Sequence, residues 1–242
     1  MVAGDALVYH PTVTHFNNYV ATTVGRDKAL RTVQYFSRFL SFYLYRQNYP
    51  QTTVAQFTAL KSNLGLVRKA MRLGKFVEHL RAAALAFDSK TMDPVLKYLA
   101  VARQMGYAGY LFSDALTYLD AAGVRKSEGA KRMQKQAYQF WAMGLAASAI
   151  SGIYSLYKIS AENMRVVESQ GTDAEKKVEG KKVLRNRNAA TQQFISDLCD
   201  LTVPVSALGW ADLDDGIVGL AGTVSSLIGL NSQWQKTAPP PS

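Results

Sequence analysis

The sequence predicts an all-α, membrane-associated helical bundle, with basic amphipathic helices in its N-terminal half and one or two bilayer-embedded helices in its C-terminal half. Three observations carry that expectation. Apolar residues recur at three- and four-residue steps along nearly the whole chain, and no stretch alternates with period two between turn pairs. Two windows, Gln136 to Tyr157 and Gly216 to Gln235, hold no charged side chain. A helix over either is about 30 Å long, the thickness of a bilayer's hydrocarbon core. Elsewhere Lys and Arg are dense, and the 242 residues carry a net charge of +10.

Taken in order, Val13 to Gly25 reads as a short opening helix, and Asp27 to Tyr45 as the next, closed by Asn48-Tyr49-Pro50. A third is expected from Thr53 to Phe87 without a break. Asp93-Pro94 places a capping carboxylate before a proline at the first helical position, starting a helix that reaches Ala122 and stops at Gly123. Helix resumes near Glu128, runs through the first uncharged window and extends into the charged run beyond it. Ser160 to Asn188 mixes Glu, Lys and Arg with Gly171 and Gly180, and is expected to be a solvated connector, helical in part. Phe194 to Ala211 is apolar and should bend or break at Pro204. Asp214 and Asp215 offer caps for a last helix from Gly216. The expected division is an amphipathic region (1–125), a membrane-embedded region (126–236) with a charged connector (160–190), and a disordered tail (237–242).

Wound as helices, the N-terminal segments separate into faces. Asp27, Arg31, Gln34, Arg38, Ser41 and Tyr45 form one stripe, opposite an aromatic arc that includes Phe36 and Phe39. Lys61, Arg68, Arg72, Lys75 and His79 line one side of the third helix, opposite Leu66, Ala70, Leu73, Val77 and Leu80. Such a design suits helices lying in the membrane plane, with apolar groups at the acyl boundary and cations at phosphate level. A soluble bundle with solvated basic faces produces the same stripes. Small residues favour the membrane: Gly144, Ser148 and Gly152 recur every four positions, Gly216, Gly219 and Gly222 every three, with Ser226 four beyond. These stripes let backbones approach where packing, not hydrophobicity, drives association.

Signals for catalysis are poor, and no metal or cofactor is expected. None of the three histidines has metal-ligand spacing, and there is no HExxH, phosphate-cradling loop or nucleophile elbow. Asp212, Asp214 and Asp215 beside Trp210 read more simply as helix caps than as an acid–base cluster. Arg103 and Asp114 either pair internally or face water, and Asp197 and Asp200 are expected to face Lys or Arg elsewhere. The single cysteine, Cys199, excludes an intramolecular disulfide and fits a reducing compartment. A sequence pI of about 9.6 points to a polyanionic partner. The cations are spread through apolar segments with no nucleic-acid-reading motif, so an anionic phospholipid surface is the expected partner and nucleic acid is not. Met1 to Asp5 shows no secretory signal, so a membrane role depends on internal segments. Arg125, Lys126, Lys131, Arg132 and Lys135 precede the first window, against Lys158 and Arg165 after it, which places the N-terminal half in the cytosol.

Several runs resemble the peroxisomal biogenesis factor 11 (peroxin-11) family in its filamentous-fungal form. They are Gly25-Arg-Asp-Lys-Ala-Leu-Arg31 with Gln34 to Arg38, Arg72-Leu-Gly-Lys-Phe-Val-Glu-His-Leu80, and the helix from Asp93 through Arg103, Gly106-Tyr107 and Asp114 to Asp120. The most specific is Ile195-Ser-Asp-Leu-Cys-Asp-Leu through Gly209-Trp210 to Asp214-Asp215-Gly216-Ile217-Val218-Gly219. The resemblance implies a non-enzymatic peroxisomal membrane protein that elongates the organelle membrane before fission, through amphipathic helices and self-association into a homo-oligomer. Its remodelling helix would fall at roughly Lys61 to Ala83. It also implies the fission machinery, a dynamin-related GTPase and its receptor, as partners. A pore for small metabolites is the alternative activity. The dilysine tail of some members is missing.

Overall fold

The computed structural model describes residues 8–168 and 173–239. All regular structure among them is helical: α1 (Pro11–Ala21), α2 (Thr23–Arg46), α3 (Gln51–Met71), α4 (Phe76–Asp88), α5 (Pro94–Leu116), the single turn α6 (Tyr118–Ala121), α7 (Ala130–Glu168), α8 (Asp173–Ala207) and α9 (Asp215–Lys236). Local chemistry explains most boundaries. The Thr22 hydroxyl accepts from Gly25 N–H at 2.9 Å and starts α2. Asp93 accepts from the Val95 and Leu96 amides to start α5, with Pro94 following. Asp214 caps α9 by accepting from Ile217 N–H at 2.8 Å.

One expectation is corrected and two are made specific. The helix anticipated from Thr53 to Phe87 is two helices, because the chain turns at Gly74, whose φ of 78° lies in the left-handed region that glycine adopts without a Cβ penalty. The anticipated connector is mostly helix: α7 continues to Glu168 and α8 begins at Asp173, while Gly171 lies outside the described residues. Pro204 does not break α8, which runs through it to Ala207. Proline lacks an N–H, and its ring costs helix stability unless packing compensates; here Pro204 is fully buried.

The packing also divides the chain elsewhere than at residue 125. One unit combines the described residues up to Arg72 with those from Asp212 onward, and the other comprises Leu73–Ala211. In the first unit α2 packs on both α3 and α9. In the second α5 packs on α4 and α7, and α7 on α8.

Candidate membrane interface

In water a helical bundle turns its large apolar side chains inward and its charges outward. In both units this order is largely inverted. On α7, Phe140, Met143, Ile150, Ile153 and Tyr157 are exposed, whereas Ala142, Gly144, Ala147 and Ser148 are buried. The inner face works by close approach. A Cβ on Gly106 of α5 would stand 2.6 Å from the Gly144 backbone of α7, and one on Gly152 would meet the Phe194 ring of α8 at 3.0 Å. At Gly106 backbone meets backbone and at Gly152 a ring lies on the backbone, the close approach by which helices associate when lipid surrounds them. Polar groups on the inner side pair with one another. Ser148 donates to Asp197 Oδ2, and Gln193 donates to Asp197 Oδ1 at 2.8 Å. On the exposed side, Lys158 donates to Asp93 at 2.8 Å and thereby holds its carboxyl below the usual carboxylate range. Along α8 the character changes. Lys177, Glu179, Lys181, Lys182, Arg185 and Arg187 are exposed, but beyond Asn188 the exposed positions are uncharged and Asp197 and Asp200 turn inward. Arg103 and Asp114 do not pair, being about 16 Å apart along α5. Arg103 lies over the Tyr107 ring, and Gln134 donates to Asp114.

The first unit shows the same inversion with more charge inside. Arg68 donates to Asp27 at 2.9 Å and to Gln34 at 2.6 Å, with only 6% of the residue exposed. Asp215 joins Arg38 at 2.5 Å and Lys61 at 3.0 Å. Arg31 is buried over the Tyr35 ring. Against this charged core α9 sets its small face. A Cβ on Gly216, Gly219 or Gly222 would run into Phe42, Phe39 and Tyr35 respectively, and Ser226, fully buried, donates to the Gly222 carbonyl. Its large residues Ile217, Leu220, Val224 and Leu227 point out.

The residues expected to touch lipid are therefore scattered. The sequence pattern places Arg31, Arg38, Lys61 and Arg68 at phosphate level; in the structure Arg31 and Arg68 are buried in the first unit, and Arg38 and Lys61 are half-buried on Asp215. Leu66 and Ala70 are half-buried, Phe39 is against Gly219, and Arg72 ends α3. His79 is hydrogen-bonded to Gln104 at 2.7 Å and stacked on Tyr107. Phe36, Leu73, Val77 and Leu80 remain exposed, with Lys75 half-buried beside them. The sequence reading missed Leu85 and Phe87, both exposed on α4, although their spacing from Leu80 was readable. It also missed Asp27 and Gln34 as internal partners of cations. No group of metal-holding side chains occurs among the described residues.

Exposed apolar faces, close helix seams and inward charges define an all-α membrane protein. α7 contains the one segment, Ala130–Met164, that by length and composition alone is apolar enough to cross a bilayer among the described residues. Comparison with known proteins specifies the class. Residues 13–234 match the family model of Peroxisomal biogenesis factor 11 (PEX11), and the chain belongs to that family. It is 33% identical over 247 residues to Peroxisomal membrane protein PMP27 of Saccharomyces cerevisiae, covering 96% of this chain and 99% of that one. Peroxisomal membrane protein PMP30B of Candida boidinii is 29% identical over 256 residues, covering 98% and 99%. Peroxisomal biogenesis factor 11 of Schizosaccharomyces pombe is 24% identical over 234 residues, covering 93% and 96%. No solved structure matches. The chain is a peroxisomal membrane protein.

Proposed function

We propose that this protein curves and elongates the peroxisomal membrane by laying α4 into one leaflet, acting without catalysis and promoting organelle proliferation and division. One observation carries the reading: α4 combines an exposed apolar strip with an exposed charged strip alongside it. Val77, Leu80, Ala84 and Phe87 of α4 follow one another at steps of three and four, all exposed, and exposed Leu73 precedes them in the turn. Glu78, Arg81 and Asp88, also exposed, lie beside them. A helix of this kind rests with its apolar strip at the acyl boundary and its charges among the headgroups. Displacing headgroups in one leaflet expands it relative to the other and bends the sheet. Lys75 and Arg81 add an attraction to anionic phospholipid of about 1 kcal/mol each, which salt weakens.

Self-association belongs to the same proposal, with a constraint. The small-residue seams at Gly144, Gly152 and Gly216 to Gly222 are occupied within the chain, so copies would meet through other faces. Hand-over to a dynamin-related GTPase and its receptor is the downstream step that the family resemblance suggests.

The test is tubulation of anionic vesicles by the full-length protein. Val77→Glu and Leu80→Glu each replace an exposed apolar contact by a carboxylate. Each should weaken α4 insertion by about 2 kcal/mol or more, roughly thirtyfold, and abolish tubules without changing the fold. Unchanged tubules from both variants would overturn the reading.

A further inference from the structure

α2 and α3, the helices whose stripes suggested an in-plane position, have no outward charge between Arg26 and Arg46 of α2 or along α3 with which to hold one. Between Arg26 and Arg46 the exposed residues of α2 are Val33, Phe36, Tyr43 and Tyr45. Every exposed residue of α3 is uncharged. Its Leu60 and Val67 are apolar, and Gln56, Ser62 and Asn63 are neutral. All three cations of α3 (Lys61, Arg68 and Lys69) are half-buried or buried, two of them on carboxylates of the same unit. An in-plane helix needs cations at its water-facing rim. Here they face the wrong way for that.

We infer that α2 and α3 form a hairpin that crosses the peroxisomal bilayer beside α9, with acyl chains as the occupant of their outer faces. The inference rests on the chain's being a peroxisomal membrane protein and is independent of what α4 does. Three further observations support it. From Arg26 to Arg46 α2 is about 30 Å long, enough for a hydrocarbon core. Its ends carry interfacial residues: Arg26 at one, and exposed Tyr45, Arg46 and Tyr49 at the other. α9 runs antiparallel to α2, since Gly216 meets Phe42 and Gly229 meets Lys28, and its outer face is apolar over the same depth. A second copy or a soluble partner would cover one side of the unit. The uncharged surface instead occupies the outer faces of all three helices.

The arrangement has a second regularity. The charged groups form two layers, Arg68 on Asp27 and Arg38 with Lys61 on Asp215, about 16 Å apart along α2. A charge in hydrocarbon is tolerated when it faces the bundle interior and pairs. The Arg68–Asp27 layer meets that condition near the open end of the hairpin, whereas Arg38 and Lys61, half-buried near the middle of their helices, pair with Asp215 at the start of α9.

The test uses full-length protein in isolated peroxisomes, with Cys199→Ser removing the only native thiol. Arg26→Cys and Gln47→Cys, made singly, place thiols at exposed positions at the two ends of α2. A membrane-impermeant maleimide is applied before and after detergent. The expected result is that one site labels in intact organelles while the other gains at least tenfold only after solubilisation. Equal labelling of both sites from one face would overturn the hairpin. As a second measurement, a nitroxide on Phe36→Cys should be relaxed more by oxygen than by a water-soluble nickel chelate. Access to the chelate, or to neither relaxant because protein covers the site, would overturn acyl chains as the occupant. Vesicle tubulation that persists with same-face labelling would discard the hairpin and leave the α4 reading intact.

Discussion

α3 and α4 lie within one continuous amphipathic pattern in the sequence, yet they distribute their charges in opposite ways. On α3 the cations point inward to Asp27, Gln34 and Asp215, and the outer face is neutral. On α4 the charged residues Glu78, Arg81 and Asp88 are outside, next to an apolar strip that is also outside. A helical period says which residues share a face. It does not say whether that face meets water, lipid or another helix. The partner decides: α3 has carboxylates waiting on α2 and α9, whereas α4 shows α5 the surface around Ala83, His79 and Phe76, where His79 meets Tyr107 and Phe76 meets Phe112.

The sharpest way to break this contrast is to remove one cation from each helix. Arg68→Ala leaves the half-buried Asp27 without its hydrogen-bonded cation, with only Arg72 and Lys28 to offset it; breaking a fully buried pair costs about 3–5 kcal/mol, which bounds the loss from above. Thermal unfolding of the full-length protein in detergent should show a large fall in midpoint. Arg81→Ala, on an exposed position, should stay within about 0.5 kcal/mol of wild type. Similar losses from both variants would mean that the two helices are not differently embedded. Asp27→Ala combined with Arg68→Ala should recover part of the loss, since the isolated carboxylate is then gone as well.

A smaller effect is expected at the seam that lets α2 accept α9. Gly222 has the Tyr35 ring where a Cβ would be, so Gly222→Leu overpacks the contact and should cost about 1–3 kcal/mol. The same substitution at Gly180, where nothing lies within 4 Å, controls for propensity and should not destabilise. Equal midpoints for the two variants would refute close approach of α9 to α2.

Much of the fold is legible in residue types. Asp93-Pro94 and Asp214 carry their own capping chemistry, whereas the cap at Thr22 falls inside the opening helix expected from Val13 to Gly25; the stripe Asp27, Arg31, Gln34, Arg38, Ser41 is a real face of α2. The small residues at Gly144 and at Gly216 to Gly222 mark seams because nothing larger fits between two backbones. Less legible was the direction of that charged stripe. Arg38 looks like a headgroup ligand until Asp215 and the small face of α9 are placed opposite α2, and those contacts join residues more than 170 positions apart. The surface of α4 is half legible: Val77 and Leu80 share an exposed strip, but the sequence pattern joins them to Leu73 in the turn and to Leu66 and Ala70, which belong to a different helix.

The break that separates these helices rests on one residue, and it supplies the finest test of the comparison. Gly74 adopts φ of 78° in open space, with no heavy atom within 4 Å of where a Cβ would stand. Any cost of substitution is therefore conformational and not steric crowding by neighbours. A left-handed backbone costs an ordinary L-residue about 1–2 kcal/mol, and asparagine tolerates it better than alanine. Gly74→Ala should destabilise by about 1 kcal/mol, and Gly74→Asn by less, in the same unfolding measurement. If Ala and Asn cost the same, the turn does not depend on the left-handed conformation, and α3 and α4 would be separable only by their partners. If the ranking holds, the lone glycine is what allows an inward-charged helix to be followed, four residues later, by one that wears its charges outside.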